Sequence, residues 1–150
     1  MAVSLPLDVA LRQCERHAAV IREAKGQIPS PPTSAALQDA PPELIRVIDQ
    51  FILRFTKLQD TMGAHVLRAF AVQVLAEPVE ESAFIDVLNL LERRGYLTVE
   101  AWALQRITRN ALTHEYPENP ARQALALAAA LVAADQLETW LRAFQQRTVA

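Results

Sequence analysis

Apolar residues recur every three or four positions along most of this chain, the period of helices packed on one face. Leu7, Leu11, Cys14, Ala18 and Ile21 predict a first helix from about Leu7 to Lys25, stopped by Gly26. The stretch from Pro29 to Pro42 holds five prolines with Ser and Thr, and reads as a surface connection without regular structure. A second helix starts near Glu43, with Leu44, Ile48, Phe51, Phe55, Leu58 and Met62 inside, and Ile45, Val47 and Ile52 widening the stripe. Gly63 interrupts that pattern, which resumes through Val66, Leu67, Phe70 and Val74 until Pro78. One long kinked helix or two stacked ones fit equally.

A third helix is predicted over about Ser82 to Arg94, with Phe84, Val87, Leu88 and Leu91 inward and Gly95 as its stop. Thr98 is an N-cap for the fourth helix, and Leu97 and Trp102 occupy the two positions of a hydrophobic staple. Leu104, Ile107 and Ala111 are expected to face the core. Asn119-Pro120 opens a fifth helix through Leu127, Leu131, Leu137, Leu141 and Phe144. The expected architecture is all-α, an up-and-down bundle of about five helices in a single domain. Its parts are an N-terminal helix (1–26), a proline-rich connection (27–42) and a bundle core (43–146).

Composition narrows this further. The 150 residues suffice for one real core, half of them are apolar, and three glycines leave little for a sheet's turns. A net charge of −2 excludes a surface coated in basic residues, but not a local cationic cleft. Cys14 is the only cysteine, so no internal disulfide or cysteine zinc site is expected, and its place on the apolar stripe predicts a buried small hydrophobe. His17 and His65 have no constellation around them, Trp102 and Trp140 read as core anchors, and Glu77, Glu80 and Glu81 read as a solvated loop. No signal peptide or membrane span is expected, since the apolar run Ala124–Ala134 is too short to cross. The cytoplasm is the expected compartment.

Chemistry concentrates in the run Arg109-Asn110-Ala111-Leu112-Thr113-His114-Glu115-Tyr116. Shuffling this composition yields Arg-Asn-x-x-x-His-x-Tyr on the order of once in 10,000 tries. Arginine offers a planar fork of donors to phosphate, and histidine moves a proton near neutral pH. The pair suffices for RNA cleavage without a metal, because the nucleophile is the substrate's own 2′-hydroxyl. His114 would act as general base or acid, Arg109 would stabilise charge on the pentavalent phosphorus, and Asn110 would orient the imidazole or a phosphate oxygen. Asn110 and His114 are four apart and share a helix face. Arg109 and His114 are about 140° apart around the axis and roughly 7.5 Å apart along it. One chain thus contacts a phosphate from one side, and two copies across a twofold axis would surround it, which predicts a homodimer. No metal or other cofactor is expected. Taken singly, Arg109 and His114 read more simply as last-turn capping residues and Tyr116 as a packing residue; it is the group at this spacing that points to chemistry.

The same run resembles the Arg-x4-His-x-Tyr motif of HepT-like proteins, helical-bundle toxins of the HEPN superfamily encoded beside a minimal nucleotidyltransferase antitoxin. Supporting context is Arg54-Phe55-Thr56-Lys57-Leu58-Gln59-Asp60 with Gly63, the helix Leu88-Asn89-Leu90-Leu91-Glu92 ending at Gly95, and Trp102. The likeness covers about Glu43 to Phe144, with the N-terminal helix and proline-rich connection as extras. It implies a HEPN-like homodimer with a composite site, and metal-independent endoribonuclease activity in a type VII-like toxin–antitoxin pair. It further implies restraint by the nucleotidyltransferase through adenylylation. By position, Arg109, Asn110 and His114 would be catalytic and Tyr116 the modified residue. The alternative is a non-catalytic helical adaptor that binds a nucleotidyltransferase or presents substrate to it.

Overall fold

A computed structural model describes residues 5–114 and 119–148. The elements, in chain order, are α1 (Leu7–Lys25), α2 (Ser34–Gln38), α3 (Pro42–Thr61), a π turn (Met62–Val66), α4 (Leu67–Gln73), α5 (Phe84–Arg93), α6 (Val99–Thr113) and α7 (Pro120–Thr148). Among the described residues there is no strand. Successive long helices are neighbours, and α7 returns against α1, α2, α3 and α6. The core between them is built from Phe51, Phe55, Phe70, Phe144, Leu58 and Leu141, all without solvent exposure.

The α1 stripe is buried as its spacing requires, from Leu7 through Ile21. Cys14 lies within it, and burial pushes its thiol up to about 12, so it stays a neutral apolar residue. The interruption at Gly63 is a π turn inside one continuous helix over 42–73. One extra residue per turn re-aims the side chains that follow, so that Met62, Val66, Leu67 and Phe70 all stay inside. Gly63 is also where the Trp102 ring of α6 packs in, because a Cβ there would meet that ring at 2.9 Å. That indole packs against Trp140 of α7 and Phe84 of α5.

Several expectations are corrected. The proline-rich connection is not irregular throughout. Thr33 Oγ1 accepts from Ala36 N and starts the short α2, which packs on α7 with Pro32 buried beside it. The helical run after Gly63 stops at Gln73 rather than near Pro78, and α5 starts at Phe84 rather than Ser82.

The largest correction is the facing of α6. Leu104 and Ile107 do not face the core but are 61% and 64% exposed, and Ala111 is half-buried. The inward row is Trp102, Gln105, Thr108 and Leu112. Both rows have helical spacing. The inner one is fixed by the Trp102 ring over Gly63 and by Gln105 Nε2 donating to the Ala133 carbonyl at 2.9 Å. The N-cap is as expected, with Thr98 Oγ1 accepting from Ala101 N. Asn119 Oδ1 likewise accepts from Arg122 N at the start of α7.

By length and composition α7 is apolar enough to cross a membrane, yet Leu127, Ala130, Leu137 and Leu141 are core residues of the bundle. That is how the central helix of a folded bundle reads.

Candidate functional site

The last two turns of α6 hold three of the four singled-out residues. Arg109 is half-buried and turned toward α3, where Asp60 grips it with two parallel bonds. Nε donates to Asp60 Oδ1 at 3.1 Å and Nη2 to Oδ2 at 3.0 Å. A guanidinium has five N–H groups, and this pairing engages two on one edge. Among the described residues nothing takes the Nη1 edge, which could meet an anion, while the carboxylate fixes the plane of the fork. Nothing in the sequence near Arg109 announces Asp60, which lies 49 residues away.

Asn110 is exposed, and its carbonyl accepts from Thr113 Oγ1 at 3.2 Å. His114 is the C-cap of α6, with φ −72° and ψ 134°. Its φ is still helical, so its Cβ keeps the helical position above Asn110 while the chain leaves the helix after it. Ile107, Asn110 and His114 are thus three and four residues apart in one outward row. Arg109 lies off that row, toward α3. The structure therefore places Asn110 and His114 on a shared face and leaves Arg109 to reach around from the side. Tyr116 lies outside the described residues.

Beside His114 opens a cavity of about 640 Å³ between α2, α3, the end of α6 and the start of α7. Its walls are mainly aliphatic, among them Ile48, Ile52, Leu112 and Leu127, with Asp49, Gln123 and His114 among the polar lining residues. Behind the cavity the Thr56 Oγ1 atom of α3 is itself buried without a hydrogen-bond partner. Among the described residues Gln59, buried on α3, has neither side-chain end hydrogen-bonded, and the Gln105 Oε1 and Trp102 Nε1 atoms of α6 are likewise unpartnered. Buried polar atoms of this kind are commonly met by internal water.

The other histidines stand apart from this site. His65 Nδ1 accepts from Leu5 N at 3.3 Å, and His17 meets Arg54 between α1 and α3. Among the described residues no group of three or more His, Cys, Asp or Glu is arranged to hold a metal ion.

A second exposed apolar row lies on α7, the helix packed against α6, where Leu125 and Val132 are 72% and 71% exposed. Residues 123–134 carry no charge, so the outer face of α7 is uncharged over that span, while on α6 the exposed Leu104 and Ile107 lie beside the exposed Arg106. The sequence had assigned Leu104 and Ile107 to the core, so this surface emerges only from the fold. No family model, no curated protein and no solved structure matches the chain.

Proposed function

We propose that the chain is a metal-independent endoribonuclease that works as a homodimer, the toxin of a type VII-like pair restrained by a minimal nucleotidyltransferase in the cytoplasm. The observation that carries the reading is the outward row Ile107, Asn110, His114. It joins a proton-transfer group directly to an exposed apolar face, with the Arg109 fork held at its side. A second copy seated on that face would bring its own Asn110 and His114 toward the first, closing the site that one chain leaves open.

In the reaction, the 2′-oxygen attacks the adjacent phosphorus and the 5′-oxygen leaves. The products are a 2′,3′-cyclic phosphate and a 5′-hydroxyl. One His114 takes the 2′-hydroxyl proton and the other supplies the proton to the leaving oxygen. The free Nη1 edge of Arg109 binds the non-bridging oxygens as they gain charge. Restraint follows if the Tyr116 phenol attacks the α-phosphorus of ATP with loss of pyrophosphate. The attached AMP then puts a phosphodiester anion beside the cationic site.

Incubating the protein with single-stranded RNA in the presence of a chelator tests this. Cleavage to cyclic-phosphate ends is expected. His114→Ala should lose about 100- to 10,000-fold in rate while remaining folded, and Arg109→Lys should fail too because a point charge replaces the fork. Wild-type rates in His114→Ala would refute the mechanism. Absence of cleavage, with a stable complex formed with a nucleotidyltransferase, would favour the adaptor reading instead.

A further inference from the structure

Away from Arg109 and His114, the groove between α1 and α3 carries a concentration of positive charge that the fold leaves uncompensated. Arg54 Nη1 lies 3.1 Å from His17 Nδ1. Arginine can only donate, so Nδ1 is the acceptor and the imidazole is neutral there. Arg54 Nε is buried with no partner. Arg16 neighbours His17 on α1, and Lys57 is three residues beyond Arg54 on α3, on the same rim. Among the described residues none of these three cations pairs with a carboxylate, and all three act on the one imidazole of His17.

The neighbouring acids are turned away or engaged. Asp8 pairs with Arg12, and Glu15 is held by Arg22 and Arg142 on the α7 side of α1. Asp49 lines the cavity on the other side of α3, and Asp60 holds Arg109. Glu23 and Glu43 lie further along the α1–α3 groove with Arg46. The local field is strong enough to register on His17, whose pKa is lowered by burial and then by Arg54, Lys57 and Arg16.

Resting on the ribonuclease reading above, we propose that Arg16, Arg54 and Lys57 form an exosite that binds backbone phosphates of a single-stranded RNA away from the cleavage site. Arg16 and Lys57 are exposed on the surface and line neither cavity of the fold, which suits several weak contacts along a polyanion better than capture of one free phosphate. These cations also lead toward the chemistry. Lys57 and Asp60 are three residues apart on α3, about 4.5 Å along its axis, and Asp60 holds Arg109. A strand lying across the outer face of α3 would therefore reach Arg109 from this groove. The arrangement gives an acidic protein a local grip on RNA.

The test separates binding from cutting. In a His114→Ala background, anisotropy of a fluorescein-labelled ten-nucleotide RNA is followed against salt, with and without Arg16→Gln and Lys57→Gln together. Both side chains are at the rim, so folding is retained, which circular dichroism checks. The double variant should bind roughly tenfold more weakly at low salt and lose about 1.4 from the slope of log K against log salt. The C2–H resonance of His17 gives the location. RNA should raise its titration midpoint in the parent and leave it unmoved in the double variant. Unchanged affinity in the double variant, or a His17 midpoint that RNA does not move, overturns the exosite. So does inorganic phosphate that shifts His17 at the same phosphate concentration, which would mark a free-anion site. RNA that binds through these residues but is never cut by the wild type removes the ribonuclease reading and leaves the exosite. RNA that is cut normally by the Arg16→Gln, Lys57→Gln protein with His114 intact does the reverse.

Discussion

At the scale of single residues, Gly63 decides how closely two helices approach. The Trp102 ring occupies the space that a methyl group on Gly63 would need, 2.9 Å from the Cβ position. The ring cannot easily yield, since Trp140 and Phe84 brace it and it is 3% exposed. Gly63→Ala would gain up to about 1 kcal/mol of helix propensity but incur overpacking of about 1–3 kcal/mol. A net loss of about 1 kcal/mol is expected, lowering Tm by about 2–4 °C in a chain of this length. Calorimetry showing a higher Tm would mean that α6 is free to move away from α3. The glycine was visible in the sequence as a break in an apolar stripe. What it accommodates was not, because Trp102 is brought to it by a packing contact between distant helices.

At the scale of elements, most helices were legible because their apolar rows have no rival. Leu7 to Ile21 and Phe51 to Met62 each present one stripe, and each is buried. In α6 two rows compete. Leu104, Ile107 and Ala111 are the more apolar, yet Gln105 and Thr108 go inside because Trp102 must lie over Gly63 and Gln105 can satisfy its amide nitrogen on Ala133. Tertiary contacts outweighed local hydrophobicity there. The short α2 was hidden for another reason, since five residues leave no room for a periodic pattern and the prolines around them read as breakers. Its start rests on one side-chain cap at Thr33. Arg109, Asn110 and His114 were recognisable as chain neighbours, whereas the Asp60 clamp and the apolar face beside His114 required the fold.

The Thr98 cap was readable from sequence and is open to direct measurement. Thr98→Ala leaves the Ala101 N–H without its side-chain acceptor at the first turn of α6. Urea unfolding should show a loss of about 1 kcal/mol. An unchanged midpoint would mean that water replaces the cap at no cost.

At the scale of the whole molecule, α1 and α7 are clasped by a charged network. Glu15 accepts from Arg22, Arg142 and Gln145, and Glu138 accepts from both arginines. Lys25 and Asp135 extend the clasp by one more pair. Burial alone would raise the Glu15 carboxyl, but these hydrogen bonds prevail and bring it down to about 2 from 4.5. The folded state therefore holds on to the charged carboxylate where the unfolded chain takes up a proton. The stabilisation is full above about pH 4.5 and is lost as pH falls toward 2. Because the network is partly exposed, solvent screening reduces its contribution to about 1 kcal/mol. Glu15→Gln should lower stability by that amount at pH 7 and converge with the wild type near pH 2, as read from urea midpoints across pH. Parallel pH profiles would mean the clasp contributes nothing.

The outer face of α6 and α7 sets the last expectation, which concerns assembly. Ile107 is 64% exposed and makes little contribution to its own subunit's core, so Ile107→Glu should leave monomer stability within about 0.5 kcal/mol of the wild type. If a second copy seats on Leu104, Ile107, Leu125 and Val132, the same change buries an unpaired carboxylate at the centre of the contact. That costs far more than a lost methyl group. The wild type should sediment as a dimer at micromolar concentration and Ile107→Glu as a monomer with an unaltered helical spectrum. If the proposed ribonuclease reading holds, cleavage should fall with dimer content, because each subunit's Arg109 and His114 would approach a phosphate from one side only. A monomeric wild type that cleaves RNA at full rate would show that one chain suffices, and the role given to this face would be wrong.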